Sequence, residues 1–256
     1  MERRSNFRDF WQLSLTLAKT GFKLRNEGSY LGIFWYLLNP LLLFILLLLI
    51  FWDRLGSEIP SYPLYLLLGV ILFNFFQQST TESAKTIIRE YRGIIKSINF
   101  PRESLIGGIV LKTLFSHIFE IILFIIFILI FKGSLIGLLF YPIILFFFCI
   151  FIFGTSLILS SLTVYFLDLE NIWFFVSRLI WLGTPIFYAI GGQTKLFYLN
   201  LFNPLYYFIT VSREIIIYTE IPELWMIFSL IGCSLSFLLI GMLFFNKLKI
   251  KFAEMI

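Results

Sequence analysis

From Leu41 to Trp52 the chain reads LLLFILLLLIFW, and the apolar stretch that contains it covers 31–52. A helix of about 20 such residues, rising about 1.5 Å per residue, crosses a hydrocarbon core of about 30 Å. Comparable stretches recur at 62–81, 104–131, 138–166, 172–190 and 223–245. Backbone polar groups in lipid have to be satisfied within the protein, which leaves helices or closed barrels, and the alternating ten-residue strands of a barrel are absent. The expected fold is therefore an all-α membrane protein with six transmembrane helices. A content of 59% hydrophobic and 14% charged residues lies outside the range of soluble domains.

Two further segments are helical by pattern but do not cross. Over 5–29, Phe7, Phe10, Trp11, Ala18 and Phe22 share one helical face, with Arg8, Gln12, Lys19 and Lys23 opposite. This pattern predicts an interfacial helix lying on the membrane. It also argues against a cleaved signal peptide, because no apolar core or small-residue cleavage site follows the basic start. Over 192–217, Gly191-Gly192 breaks the chain, Asn203 offers an N-cap, Pro204 takes the first helical position, and the apolar run 204–217 is too short to span. A re-entrant or extracytoplasmic gate helix between spans five and six is expected there.

Six spans put both termini on one side, and the basic residues test the count. With the N-terminus cytoplasmic, the inside segments hold Arg3, Arg4, Arg8, Lys19, Lys23, Arg25, Lys85, Arg89, Arg92, Lys96, Arg102, Lys247, Lys249 and Lys251, while the outside segments hold Arg54, Lys132, Lys195 and Arg213. That asymmetry follows the positive-inside rule. The net charge of +5 then reports orientation and contact with anionic membrane lipids, and nothing in it points to nucleic acid. Cys149 and Cys233 lie in apolar runs without metal-ligand spacing.

The segment 83–103 is expected to be the principal inside loop. Ile87, Ile88, Tyr91 and Ile95 recur on one helical face, and Lys85, Arg89, Arg92 and Lys96 on the other, before Phe100-Pro101 stops the helix. Periodicity fits a membrane-surface anchor as well as it fits a docking element for a cytoplasmic partner.

Four motifs in one order carry a resemblance. Gly28-Ser29-Tyr30-Leu31-Gly32-Ile33-Phe34-Trp35 closed by Asn39-Pro40, Ile95 to Glu103, Thr184-Pro185-Ile186-Phe187-Tyr188, and Asn203-Pro204 with the later Arg213 together resemble ABC-2 type permeases. More narrowly, they are similar to the polysaccharide exporters of O-antigen, capsule and teichoic acid systems. One departure is Leu167-Asp168, where the family often carries Arg-Asp. The resemblance implies a homodimer in the cytoplasmic (inner) membrane, joined by two cytoplasmic P-loop ATPase subunits and moving a lipid-linked polysaccharide. ATP and Mg²⁺ would sit on the partner, so no cofactor is expected in this chain, which has no G-x-x-x-x-G-K-[ST] motif. It further implies that Ile87, Ile88, Arg89, Tyr91, Arg92, Ile95 and Lys96 receive the motion of the ATPase. Gly28 and Gly32 would turn the interfacial helix into the bilayer, with Tyr30 and Trp35 setting its depth.

Polar groups inside the spans are the remaining signals. His117 and Glu120, at i and i+3, can hydrogen-bond each other, and with Arg178 they mark a polar contact between helices or an aqueous path. A single pair is too little for a proton relay. Trp173, Trp181, Phe187, Tyr188, Tyr206 and Tyr207 are candidates, with Tyr30 and Trp35, to line a sugar path and its outer gate, or else they form an aromatic belt. The alternatives are an exporter of a drug or lipid, and a polyprenyl-linked sugar membrane enzyme. The latter would need a paired-carboxylate or aspartate-rich cluster for a metal-bound diphosphate, which the sequence does not offer.

Overall fold

The computed structural model describes residues 7–27, 32, 34–56, 58–89, 100–249 and 252. Among these, every regular element is helical: α1 (Phe7–Asn26), α2 (Phe34–Leu55), α3 (Tyr62–Arg89), α4 (Glu103–Ile130), a 3-10 turn (Ile136–Phe140), α5 (Tyr141–Tyr165), α6 (Leu169–Gly183), α7 (Thr194–Leu201), α8 (Pro204–Ile216) and α9 (Leu224–Leu248). Five stretches among the described residues are long and apolar enough to cross a membrane: Phe34–Leu55, Tyr62–Ile87, Glu103–Ile130, Ile136–Tyr165 and Leu224–Leu248.

The expected span 172–190 differs. Its helix, α6, stops at Gly183, giving 15 residues or about 22 Å, less than the core thickness. Thr184 is extended because a residue before proline is driven out of the α region by the proline ring. The backbone carbonyls of Pro185 and Ile186 then bond to Arg213 instead of to a next helical turn.

Around α3 pack α2, α4, α5, α6 and α8. In its membrane-length window 78% of residues are buried, which accommodates a helix whose second half is rich in hydroxyls and amides. Thr80, Ser83 and Thr86 each return their hydroxyl to a carbonyl four residues back, at 2.7–2.8 Å. Ser79 pairs with Thr113 of α4 at 2.5 Å. The helix runs on to Arg89, so the first part of the expected 83–103 loop continues a span, and the stretch 90–99 lies outside the described residues.

Small residues let the outer helices approach closely. Along α1 the buried positions are Ser14 and Ala18; Ser14 faces Gly107 of α4, Leu17 faces Gly108, and the Ser14 hydroxyl donates to the Ser104 carbonyl at 3.2 Å. The aromatic face expected to lie in lipid is thus split. Phe22 stacks with Tyr36 and Phe119, Phe10 meets Phe153, and Phe7 and Trp11 remain exposed. On the far side of the bundle α5 and α9 touch backbone to backbone at Gly154 and Gly241.

The middle of α1 and Phe252 near the C-terminus meet at one end of the bundle. Phe252 is fully buried among Ile87, Leu105, Ile106, Leu157, Val164 and Phe245, and Leu17 of α1 packs on the same cluster. Arg102 donates to the Lys249 carbonyl, and Lys249 pairs with Glu103. At the opposite end, Asn203 caps α8 by accepting from the Leu205 amide at 3.1 Å, with Pro204 at the first helical position. Gly191 has φ +53°, a left-handed turn that suits glycine, between the 184–190 segment and α7.

Candidate functional site

A cavity of about 660 Å³ opens between α2, α3 and α4, with Arg25 of α1 and Phe174 of α6 completing its wall. Its polar side comes from one stripe of α3: Asn74, Gln77, Gln78, Thr81 and Glu82 recur at three- and four-residue spacing and so share a face. Sequence reading passed over this stripe, although amides and a carboxylate at helical spacing inside a span are the signal of a face turned to protein or water. Across from it α2 contributes Trp35, Tyr36, Asn39 and Pro40. Pro40 lies inside the helix and has no N–H to donate to the Tyr36 carbonyl, so a proline on this wall also loosens the backbone beside it. Gly32 borders the cavity with φ +40°, the turn expected of a glycine at the entry to the first span.

At one end of the cavity four elements converge on Glu82. Its carboxylate takes Arg25 of α1 at 3.1 Å and Lys112 of α4 at 2.6 Å, and the Arg25 guanidinium lies 4.9 Å over the Tyr36 ring of α2. Lys112 thereby ties α4 to α3. Nearby, Lys85 reaches Glu170 of α6 at 3.9 Å.

Deeper in the bundle, His117 and Glu120 are joined as their spacing suggests, Nδ1 to Oε2 at 2.7 Å. Two partners come from other helices. His117 Nε2 meets the Tyr141 hydroxyl of α5 at 2.6 Å, and the Asn74 amide of α3 donates to Glu120 Oε1. His117 also stacks on Phe75 with ring centroids 4.7 Å apart. Both His117 and Glu120 are buried, and Glu120 borders the cavity.

Arg213 forms a second buried polar centre. It is 3% exposed. Its Nε and Nη2 donate to the Tyr65 carbonyl at 3.2 and 3.0 Å, Nη1 to Pro185 at 2.6 Å and Nη2 to Ile186 at 2.7 Å, with the guanidinium 3.3 Å over the Tyr65 ring. The hydroxyls of Tyr62 and Tyr65 donate to Phe187 and Tyr188, so the 185–188 segment is tied to α3 along its length. Tyr218 donates to the Pro60 carbonyl at 3.2 Å. Burial, and then neighbouring Tyr65, raises its phenol above the ordinary value, which keeps the donor protonated.

The expected path-lining aromatics fall into separate places. Trp35 is on the cavity wall, and Tyr30 is outside the described residues. Trp173 packs on Phe76 and donates to Thr80 at 3.2 Å. Trp181 meets Phe73 and Phe187, and Phe187 stacks on Phe51 at 5.0 Å. Tyr188 bonds back to the Gly183 carbonyl at 2.9 Å. Tyr206 and Tyr207 are buried, with Tyr207 bonded to the Leu201 carbonyl at 2.7 Å. Arg178 is exposed on α6 and lies 4.2 Å over the Phe174 ring.

Of the residues expected to meet an ATPase, Ile87 is fully buried, which makes it a packing residue of the subunit core. Ile88 and Arg89 belong to the last turn of α3, and Tyr91, Arg92, Ile95 and Lys96 lie outside the described residues.

The comparisons with known proteins accord with this architecture. The chain is 30% identical over 260 residues to an O-antigen export system permease protein RfbA of Klebsiella pneumoniae, covering all of this chain and 99% of the relative. A second K. pneumoniae RfbA is 29% identical over the same length, and the RfbA of Myxococcus xanthus is 23% identical over 253 residues, 95% of each chain. The model of the ABC-2 type transporter family matches residues 12–217, from the middle of α1 to the end of α8. With polar cavity, buried arginine clamp and membrane-length helices all inside or continuous with that match, the chain belongs to the ABC-2 type transporter family.

Proposed function

We infer that this chain is the transmembrane half of an ATP-driven exporter that carries a lipid-linked, O-antigen-like polysaccharide outward across the cytoplasmic membrane. The observation that carries this reading is the polar cavity walled by α2, α3, α4 and α6, because amides and carboxylates within membrane helices belong to a water-filled path. The printed names of the relatives, matched over nearly their whole length, supply the substrate class. Exposed Arg178 on α6 fits the same path, since an arginine turned to lipid costs about 2.5–3.5 kcal/mol on insertion scales.

In this reading α6 together with the irregular 184–190 segment makes the sixth crossing, an arrangement supported by α1 and Phe252 meeting at one end of the bundle. That end is cytoplasmic, α1 lies at the interface, and α7 with α8 forms the outer gate. Two copies of the chain associate with two P-loop ATPase subunits, which bind ATP and Mg²⁺. Their closure presses on α1 and on 83–103. Glu82, bonded to both Arg25 and Lys112, passes that displacement to α3 and α4 at the mouth of the cavity.

Inside-out vesicles from a host that makes the polymer test this reading. With permease and partner ATPase present, ATP should move the lipid-linked polymer into the lumen, where added glycosidase cannot reach it. Polymer that stays digestible while a small amphiphile accumulates would contradict the polysaccharide assignment in favour of a drug or lipid exporter.

A further inference from the structure

The Tyr141–His117–Glu120–Asn74 network costs more than a tie between helices requires. Ser79 and Thr113 already join α3 to α4 with neutral hydroxyls at 2.5 Å, whereas a carboxylate placed inside a span is expensive. The network is also one-sided. Tyr141 and His117 sit behind Glu120, and Glu120 and Asn74 reach the cavity wall. In a consistent assignment of donors, the Tyr141 O–H donates to His117 Nε2, the His117 Nδ1–H donates to Oε2, and the Asn74 amide donates to Oε1. A carboxylate has about four acceptor sites, so Glu120 retains capacity toward the cavity.

A second observation concerns Tyr36 on the same wall. The Tyr36 hydroxyl is buried, the residue being 7% exposed, and it has no hydrogen-bond partner among the described residues. A buried hydroxyl left unpaired is costly, and such groups are rare in native structures. The rest of the wall includes the amides Asn39 and Gln77, the latter donating to Ser177 at 3.3 Å, and the rings of Trp35 and Phe174, while the charges of Arg25 and Glu82 are paired with each other. Fixed acceptor, amides, hydroxyl and flat aromatic faces together suit a neutral polyhydroxylated ring, whose C–H faces stack on aromatics and whose hydroxyls donate to the carboxylate. The Glu120 charge repels an anionic group at this place.

The geometry points to a sugar-ring subsite in the cavity wall, with Glu120 as the acceptor of substrate hydroxyls, Tyr36 as a second contact, and His117 and Tyr141 as positioning residues. This subsite rests on the exporter reading and extends it to particular side chains.

The test uses the permease–ATPase complex in proteoliposomes, titrated with lipid-linked polymer extracted from the host's own membranes, with polymer-stimulated ATP hydrolysis as readout. Glu120→Gln should raise the half-saturating polymer concentration about tenfold, the size of one lost charge-assisted hydrogen bond, with a smaller change in the maximal rate. Tyr141→Phe should raise it about threefold and add nothing to Glu120→Gln in the double variant, because Tyr141 acts through Glu120. Tyr36→Phe should also weaken half-saturation while leaving the thermal midpoint unchanged or higher, an outcome that a structural role for this unpaired hydroxyl does not give. It keeps the proposal testable if Glu120→Gln fails to fold. Unchanged half-saturation in Glu120→Gln or in Tyr36→Phe, or independent additive effects of Glu120 and Tyr141, overturns the subsite. A wild-type complex that the polymer does not stimulate overturns the exporter reading itself, and the subsite with it.

Discussion

Replacing Arg213 with leucine is expected to destabilise the subunit by about 3–5 kcal/mol, the loss typical when a buried, fully hydrogen-bonded charge is removed from its partners. Four donor contacts to the carbonyls of Tyr65, Pro185 and Ile186 vanish together, along with the guanidinium stacked on Tyr65. The Pro185 and Ile186 carbonyls cannot recover a helical partner, because the 184–190 segment is irregular. Lysine should rescue little: one ammonium cannot span three carbonyls or lie flat on a ring. Gly69 is part of the same device, since a Cβ there would lie 2.6 Å from Arg213 Nη2 and 3.2 Å from the Ile186 carbonyl oxygen. The thermal midpoint of the detergent-solubilised protein measures the effect, with new protease sensitivity expected within 184–193. A midpoint equal to wild type would remove the clamp from this account.

Gly154→Val should have a comparable effect by a different route. A Cβ at Gly154 would sit 2.5 Å from both the Leu238 amide nitrogen and the Phe237 carbonyl oxygen, and these are backbone atoms of a helix interior that cannot turn aside. Opposite, a Cβ at Gly241 would meet Gly154 Cα at 3.0 Å, so the two glycines serve one close contact. Overpacking a tight seam costs about 1–3 kcal/mol where side chains can adjust, and more where only backbone can move. Separation of α9 from α5 would also draw Phe245 and Phe252 out of the cluster that holds α3, α4 and α5 together at one end. Folded yield and thermal midpoint are the readouts, with Gly154→Ala intermediate. An unperturbed Gly154→Val protein would show that α5 and α9 are not packed as described.

Five of the six apolar runs of the sequence coincide with membrane-length helices, four of them within three residues at each end, because lipid imposes a length and a composition that a single chain displays openly. Local chemistry was equally legible at Asn203-Pro204, where cap and proline act within two residues of themselves. What escaped was decided at long range. Pro185 hinted that α6 stops early, yet the reason the segment stays irregular is an arginine 28 residues away. His117 and Glu120 advertised their pairing through spacing, but Tyr141 and Asn74 come from other helices and leave no periodic trace. Aromatic weight drew attention to α6 and α8, where most of the rings pack inward. The cavity instead follows amides on α3, whose polarity is diluted by the apolar residues of the same span. The face of α1 followed the same pattern: large rings outweighed Ser14 in the sequence, yet close approach to Gly107 buries this small residue completely.

The central claim, that this chain is the membrane half of an ATP-driven machine, is tested most directly by purifying the tagged protein from native membranes in mild detergent and sequencing every copurifying chain. The account predicts a P-loop ATPase in near-equal amount, lost when Arg89, Arg92 and Ile95 are changed. Recovery of the intact permease with no nucleotide-binding partner, under conditions where comparable complexes survive, would contradict it.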